Sequence, residues 1–597
     1  MKPAWQLLIT ALKPPPISNI FVLTWLLICL NSTTAFGSEY DFIIVGGGTA
    51  GCLLASRLSE ISNWKVLLIE AGGEENFFQD IPLLSSLLEY TPADWKYRTE
   101  HNGSFCNGFD RGQCHWPRGK VLGGTSVFNY MTYVRGNKRD YDDWESLGNT
   151  GWGYADILPY FLKFENMKIP RFANDTENHS THGELFITNP PYHTNLATAF
   201  VEAGIQRGYN YVDYNVGKGI GYSYLQSTMK DGLRWSSNYA FLRPIRNRRN
   251  LDVRTRSLVT KILIDKNRVA YGVEYKQWGF ITRHAFAKKE VILAAGAINS
   301  PQLLMLSGIG PKEHLEEKGI SVLQDSKVGF NLMDHVSLGN LYYTLNETAG
   351  LRLNLINYIK GAIDLILKRP GIFNIPGGSE AIGFESLGES NGYPDIELLF
   401  ASATTASTPI FWSSWGPRID ILFQSYSALS SIDAFMVFPL PMKPNSRGRI
   451  MLKSTNPSEY PLIYPNYFSD PKDIETIIKG IRLVAELSKT EAMKKYDVKL
   501  YNKPLYQCSE HEFDSDAYWE CCIRYLTFSY YHICGTCKMG PDSDPDAVVD
   551  TELRVRGIKH LRVVDASIMP IITSGHITGP VYMIAEKASD MIKNEWS

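Results

Sequence analysis

The segment Asp41–Gly51 (DFIIVGGGTAG), taken with Val66–Glu70 (VLLIE), restricts this chain more than any other part of it. Phe42 to Val45 is a short apolar run, as expected of a strand buried on both faces. Gly46, Gly48 and Gly51 then satisfy G-x-G-x-x-G. The first glycine makes the tight turn and the second lets backbone approach a pyrophosphate. The third lets a helix pack closely on the strand. The helix is expected from about Ala50 to Glu60, with its first N–H groups, near Thr49 and Ala50, aimed at phosphates. Glu70 ends the second strand 24 residues after Gly46, where an acid can accept hydrogen bonds from a ribose. A glycine turn alone is a weak signal. Strand, turn, helix, strand and acid in that order specify a dinucleotide site.

The 597 residues suggest roughly two to four domains. An apolar content of 44% permits a large core, and a net charge of −2 argues against nucleic acid as the main partner. Residues 1–37 read as a secretory signal peptide. Asn19–Leu30 is apolar but too short to span a bilayer comfortably, Lys2 and Lys13 precede it, and small residues follow. The alternative is an uncleaved anchor. No later segment is long and apolar enough to span a membrane, so the mature chain is expected to be secreted, with no stable membrane span. Sequons at Asn102, Asn174, Asn178 and Asn346 agree with that route. Cys106 and Cys114 flank a short loop and can pair; Cys508 can pair with Cys521 or Cys522. Cys52 reads as a small buried thiol.

Further along, Trp116–Gly136 is rich in glycine and hydroxyls, suiting a loop pressed against a flat cofactor. An amphipathic helix is expected within 151–165, and another helix from Asp231. Strands are expected at Leu251–Val259, Lys261–Asp265, Ala270–Tyr275 and Glu290–Ala295. Ser300 before Pro301 reads as a helix start, ended by Gly308. Residues 340–530 show no dinucleotide signal. They carry candidate strands at Ile419–Gln424, Ala434–Leu440 and Arg449–Leu452, and a helix at Lys472–Leu487, as in a separate domain on an antiparallel sheet. Leu561–Asp565 is a third short apolar strand ending in an acid, followed by a last helix from Pro580 to Asn594.

Four blocks now carry a resemblance. They are the opening unit with Glu70, Arg118–Asn129, Gly296–Gly310, and His532–Gly540 with Val564–Ala566 and the His576 segment. Together they resemble the glucose–methanol–choline (GMC) family of FAD-dependent oxidoreductases, and the C-terminal pattern is most similar to its secreted insect branch. The resemblance implies a discontinuous α/β, Rossmann-like βαβ domain that binds FAD, plus an α+β substrate domain with an antiparallel sheet. The implied boundaries are 38–335 mainly for FAD, 336–530 mainly for substrate, and 531–597 returning to the FAD domain.

It also implies roles. His532 is the general base that strips an alcohol hydroxyl while FAD takes the hydride. His576 bonds the substrate oxygen. Gly46, Gly48, Thr49, Ala50, Gly51 and Glu70 hold the ADP half. Val121, Gly123, Thr125, Asn129, Tyr130 and Met131 line the flavin. Val259 meets adenine through its backbone, and Asp565, Ala566, Ile577 and Thr578 close over pyrophosphate and isoalloxazine. The other histidines, His115, His314 and His335 among them, are expected to be surface or structural. No spacing demands a metal, and Cys534 and Cys537 are read with the flavin motif rather than as a zinc half-site.

Two departures matter. Ser574-Gly-His576 stands where the insect pattern has Ser-Gly-Asn, and a His–His pair favours O2 as acceptor over a quinone. Phe128 stands where some members tether FAD through histidine, so FAD is expected to be non-covalent. The expected activity is oxidation of a small primary alcohol to an aldehyde. A quinone-linked dehydrogenase and an inactive ligand-binding paralogue are the alternatives.

Overall fold

The computed structural model describes residues 38–597 except 218, 347–348, 352–353, 389–391 and 408. The signal assigned to 1–37 lies outside the described residues. Strand β1 (Ser38–Val45) runs through the glycine turn into helix α1 (Thr49–Leu58) and strand β2 (Val66–Ile69). β1 and β2 pair in parallel with Phe42 opposite Val66. Ile43, Ile44, Leu67 and Leu68 have no exposed surface, which is why both strands are unbroken apolar runs.

Distant segments complete this sheet: β3 (Leu251–Arg254), β4 (Ser257–Ile264), β5 (Ala270–Gln277), β6 (Ile281–Leu293) and β7 (Leu561–Val563). The order is β3-β2-β1-β6-β5-β4, with β7 beside the end of β6. The discontinuity expected from the sequence is therefore present. β6 is longer than expected: its first half pairs antiparallel with β5 and its last three residues pair in parallel with β7.

Helix α2 (Gly296–Leu306) follows β6, and helix α3 (Thr578–Trp596) packs against α1. α2 starts at Gly296, not at the expected Ser300. Pro301 thus lies inside the helix and cannot donate to the carbonyl of Ala297. The hydroxyl of Thr536 donates to that carbonyl instead, at 2.6 Å.

The second sheet has six antiparallel strands, in the order Lys499–Leu500, Tyr342–Thr344, Ala434–Pro441, Ile396–Ala401, Ser379–Glu385 and Gly221–Tyr224. Its last strand comes from before residue 335. Helix Pro471–Ser488 packs on it, capped by Asp470. The strand expected at Ile419–Gln424 is helical: a short turn over Ile419–Ile421 continues as a wide turn over Leu422–Tyr426. Ile421, Leu422 and Tyr426 point inward while Ile419 and Phe423 are exposed, a helical period that so short a run could not reveal. The helix expected from Asp231 starts later: Asp231 lies in the turn of a hairpin, Met229–Lys230 with Leu233–Arg234, and the helical turns run over Asn238–Leu242 and Arg243–Ile245.

One apolar core runs through both sheets. Cys106 pairs with Cys114 and Cys508 with Cys521, leaving Cys52, Cys522, Cys534 and Cys537 buried and free among the described residues. Among the described residues no helix is long and apolar enough to cross a membrane.

Candidate active site

The glycine turn is held by close contacts. Gly46 has φ +102°, and a Cβ there would lie 2.5 Å from the carbonyl oxygen of Ala294. A Cβ on Gly51 would lie 1.9 Å from the carbonyl oxygen of Gly46. Gly48 differs: its nearest atom would be Cα of Gly124 at 3.9 Å, so bare backbone faces a cavity. α1 begins there with no side-chain cap, leaving its first N–H groups open. Glu70 is buried, its two carboxylate oxygens accepting N–H from Gly47 at 2.8 Å and Gly72 at 2.7 Å. Burial pushes its carboxyl up to about 7, against the pull of those N–H groups and Lys120.

The cavity, of about 310 Å³, runs from this turn to His532 and His576 and is walled by both sheets. Gly46, Gly48, Thr49, Ala50, Glu70, Thr125, Asn129, Tyr130, Val259, Asp565, Ala566, Ile577 and Thr578 all line it. Gly51, Val121, Gly123 and Met131 do not. Gly51 lies under the turn, and Val121 packs with Leu88, Val127 and Phe128. Gly123 donates its N–H to the carbonyl of Gly47 at 2.8 Å, and Met131 is fully buried at φ 57°.

Asn129 is tied on both sides. Its Oδ1 accepts from Arg234 at 2.8 Å and its Nδ2 donates to the Thr578 hydroxyl at 3.3 Å. Arg234, deeply buried and lowered to about 10 by that burial, also bonds the carbonyls of Gln79 and Ser126. It anchors the cofactor loop, and no motif singled it out. Asp565 accepts from the Ser300 hydroxyl at 2.6 Å and from Gly296 N–H at 2.9 Å, closing a second glycine turn. A Cβ on Gly296, at φ +83°, would meet nothing within 4 Å, so this turn too presents bare backbone.

At the other end the rings of His532 and His576 lie 4.7 Å apart between centroids, steeply inclined. His335 belongs to this site, contrary to the expectation that it is structural or superficial. Its Nδ1 lies 2.9 Å from Nδ1 of His532, and its Nε2 lies 3.1 Å from the carbonyl oxygen of Met442. A carbonyl can only accept, so Nε2 of His335 carries its hydrogen. Burial pushes His335 down to about 3, so it is neutral and its Nδ1 is an acceptor. The hydrogen between the rings is therefore on Nδ1 of His532, leaving a lone pair on Nε2. His532 is itself held well below the usual imidazole value by burial, then by His576, His335 and Arg118.

The backbone N–H of His532 donates to Asp334 at 2.7 Å, and Asp334 also accepts from Ser529 and Tyr467. Nε2 of His576 lies 3.0 Å from Oε1 of Glu397, a fully buried carboxylate whose other oxygen has no partner among the described residues. His335 and Glu397 were invisible in the sequence because they stand 197 and 179 residues from the histidines they bond.

FAD fits this donor set: bare backbone at Gly48 and Gly296, an open helix N-terminus and Glu70 at one end, imidazoles at the other. Comparison with known proteins decides the family. The family described as GMC oxidoreductase matches with its N-terminal part over residues 40–337 and its C-terminal part over residues 444–585.

The chain belongs to the GMC oxidoreductase family.

It is 40% identical to "Glucose dehydrogenase [FAD, quinone]" of Drosophila pseudoobscura pseudoobscura over 582 residues, covering 95% of this chain and 89% of the relative. It is 36% identical to "Choline dehydrogenase, mitochondrial" of Homo sapiens over 571 residues, covering 93% and 90%. Among solved structures, formate oxidase of Aspergillus oryzae superposes with a TM-score of 0.82 at 28% identity, covering 94% of this chain and 99% of that one. This GMC oxidoreductase is thus an FAD-binding enzyme acting on CH–OH donors.

Proposed function

We propose that this enzyme oxidises a primary alcohol to an aldehyde, with Nε2 of His532 as the base that takes the hydroxyl proton. The observation that carries this is the chain Met442 carbonyl, His335, His532, which leaves Nε2 the lone pair a base needs. FAD supplies the hydride acceptor when bound. Thr49, Ala50, Glu70 and Val259 would hold its ADP half; Thr125, Asn129, Tyr130, Ile577 and Thr578 would hold the flavin half. Nε2 of His576 is engaged with Glu397, so Nδ1 is the nitrogen left to face the substrate. Retention of both histidines and of the relay behind them argues against an inactive paralogue.

Phe128 lines the cavity and has no nucleophilic atom. FAD is therefore expected to come free on acid precipitation, leaving a colourless pellet. The leader read from the sequence of 1–37 is part of this proposal, and two disulfides support secretion, because disulfides persist in oxidising compartments. The cofactor part is assigned to 38–335 and 531–597 and the substrate part to 336–530, joined by Gly221–Tyr224.

For the acceptor, the His–His pair favours O2, since a positive charge beside the flavin assists oxygen reduction. A specific observation favours a quinone instead: any proton gained by His576 is matched by Glu397 at 3.0 Å. The name of the relative in Drosophila pseudoobscura points the same way. Holoenzyme in air with an alcohol decides it. Stoichiometric H2O2 supports the oxidase; dye or quinone reduction without H2O2 supports the dehydrogenase. Anaerobic bleaching of the flavin by an alcohol tests the shared step, and its absence would refute the whole reading.

A further inference from the structure

The substrate end of the cavity is floored by the second sheet. Side chains alternate along a strand, so Glu397, Leu399 and Ala401 share one face. Leu399 is paired across the ladder with Phe438, and Ala401 with Met436. All four line the cavity and each is at least nine-tenths buried. The next rung toward His576 pairs Glu397 with Leu440. The floor is thus apolar, with one carboxylate at the end where the histidines stand.

The wall above it is aromatic. Tyr530 lies 5.9 Å from His532 between ring centroids, Phe438 lies 5.5 Å from Tyr530, Phe528 lies 4.8 Å from Phe438, and Trp415 lies 5.3 Å from Phe528. This is one continuous train of rings leading away from the base.

Three hydroxyls on this side are already engaged. Thr404 bonds Ser407 at 2.9 Å, Thr405 bonds Tyr342 at 2.6 Å, and Ser414 donates to the carbonyl of Phe411 at 2.9 Å. The Tyr530 hydroxyl and Trp415 Nε1 have no partner among the described residues, and Ser379 adds one more hydroxyl. A sugar would bring several hydroxyls against the Leu399–Phe438 and Ala401–Met436 rungs. There each would lose water without gaining a partner.

Resting on the proposed alcohol oxidation, we infer that the substrate is an apolar, ring-bearing primary alcohol, and that polyols are excluded. The ring lies along the Tyr530–Phe438–Phe528–Trp415 train, and the carbinol reaches His532 and His576.

The test follows flavin bleaching when anaerobic holoenzyme is mixed with cinnamyl alcohol, 1-butanol, choline or D-glucose. Cinnamyl alcohol is expected to reduce the flavin with a second-order constant at least about 100-fold above that of D-glucose or choline. An equal or larger constant for D-glucose or choline overturns this inference and leaves alcohol oxidation standing. Bleaching by none of the four overturns both. Phe438→Ala should lower the constant for cinnamyl alcohol about tenfold, and that for 1-butanol, which has no ring to seat, by less. An unchanged constant for cinnamyl alcohol in a folded, FAD-loaded variant overturns the role given to the ring train. The wild-type comparison needs no variant, so a misfolded one leaves the inference decided.

Discussion

The two ends of the cavity are built differently. At the cofactor end the work is done by absent side chains: Gly46, Gly48, Gly51 and Gly296 let backbone turn, approach or lie bare. At the catalytic end it is done by side chains paired over long stretches of sequence, His335 with His532 and Glu397 with His576. The first is a local property of the chain and the second a property of the assembled fold. Substitutions should separate them: changes at the first end ought to empty the site of FAD, and changes at the second ought to leave it yellow but slow.

The largest effect is expected from His532→Ala. Losing a general base lowers the rate about a thousandfold. Flavin reduction by an alcohol should fall by that order while the absorbance of bound FAD persists. Loss of FAD together with activity would instead make His532 part of the cofactor site. In the wild type, burial and neighbouring charge hold His532 well below 6.5, so the base stays neutral as pH drops through that value. The acid limb of kcat/KM should therefore lie below pH 6.5. A limb at or above it would break the assignment of the lone pair to Nε2.

Gly51→Ala should act at the other end. Its Cβ would lie 1.9 Å from a backbone oxygen, so α1 must move off the turn. Purified protein should then bind FAD about 100-fold more weakly, roughly 3 kcal/mol. Its reduction rate, once saturated with FAD, should stay close to wild type. A normal FAD affinity would show that the turn tolerates displacement.

His335→Phe is expected to have an intermediate effect, about 30-fold on flavin reduction, as when the partner that fixes an imidazole tautomer is removed. FAD affinity should not change. A drop in both would mean that His335 only supports the fold.

This contrast explains what the sequence could disclose. β1, α1, β2 and Glu70 were legible because strand period, glycine spacing and a terminal acid are all local. The ends of β6 and α2 were misjudged. β6 extends into a half paired with β5, and α2 starts before its proline because Thr536 takes the freed carbonyl of Ala297. Ile419–Gln424 misled because a short apolar run carries no period. His532 and His576 were legible only through family resemblance. Their partners stand far off in sequence, His335 197 residues from His532 and Glu397, on a strand of the second sheet, 179 from His576, and Arg234 anchors Asn129 from 105 residues away. Contacts of that span leave no spacing to read.

The smallest expected effect, in Glu70→Gln, bears on whether the cofactor end is purely a backbone device. Gln keeps the volume but must turn its amide NH2 toward the N–H of Gly47 or Gly72, both of which the carboxylate accepts. That loss is the same at every pH. The carboxylate's role toward FAD is not. Burial raises Glu70 from 4.5 to about 7, so it is mostly ionised above that value and mostly protonated below it. Ribose hydroxyls donate better to the ionised form, so FAD affinity should rise with pH through about 7 and level off above it. Stability of the apoprotein should run the other way. A carboxyl raised on folding takes up its proton first in the folded state, so the apoprotein gains stability as pH falls from about 7 to 4.5. Titrations of FAD into wild type and Glu70→Gln should therefore differ by about tenfold at pH 8 and converge toward pH 5. A gap independent of pH would mean that Glu70 only organises the turn, and that ribose recognition at this end belongs to backbone alone.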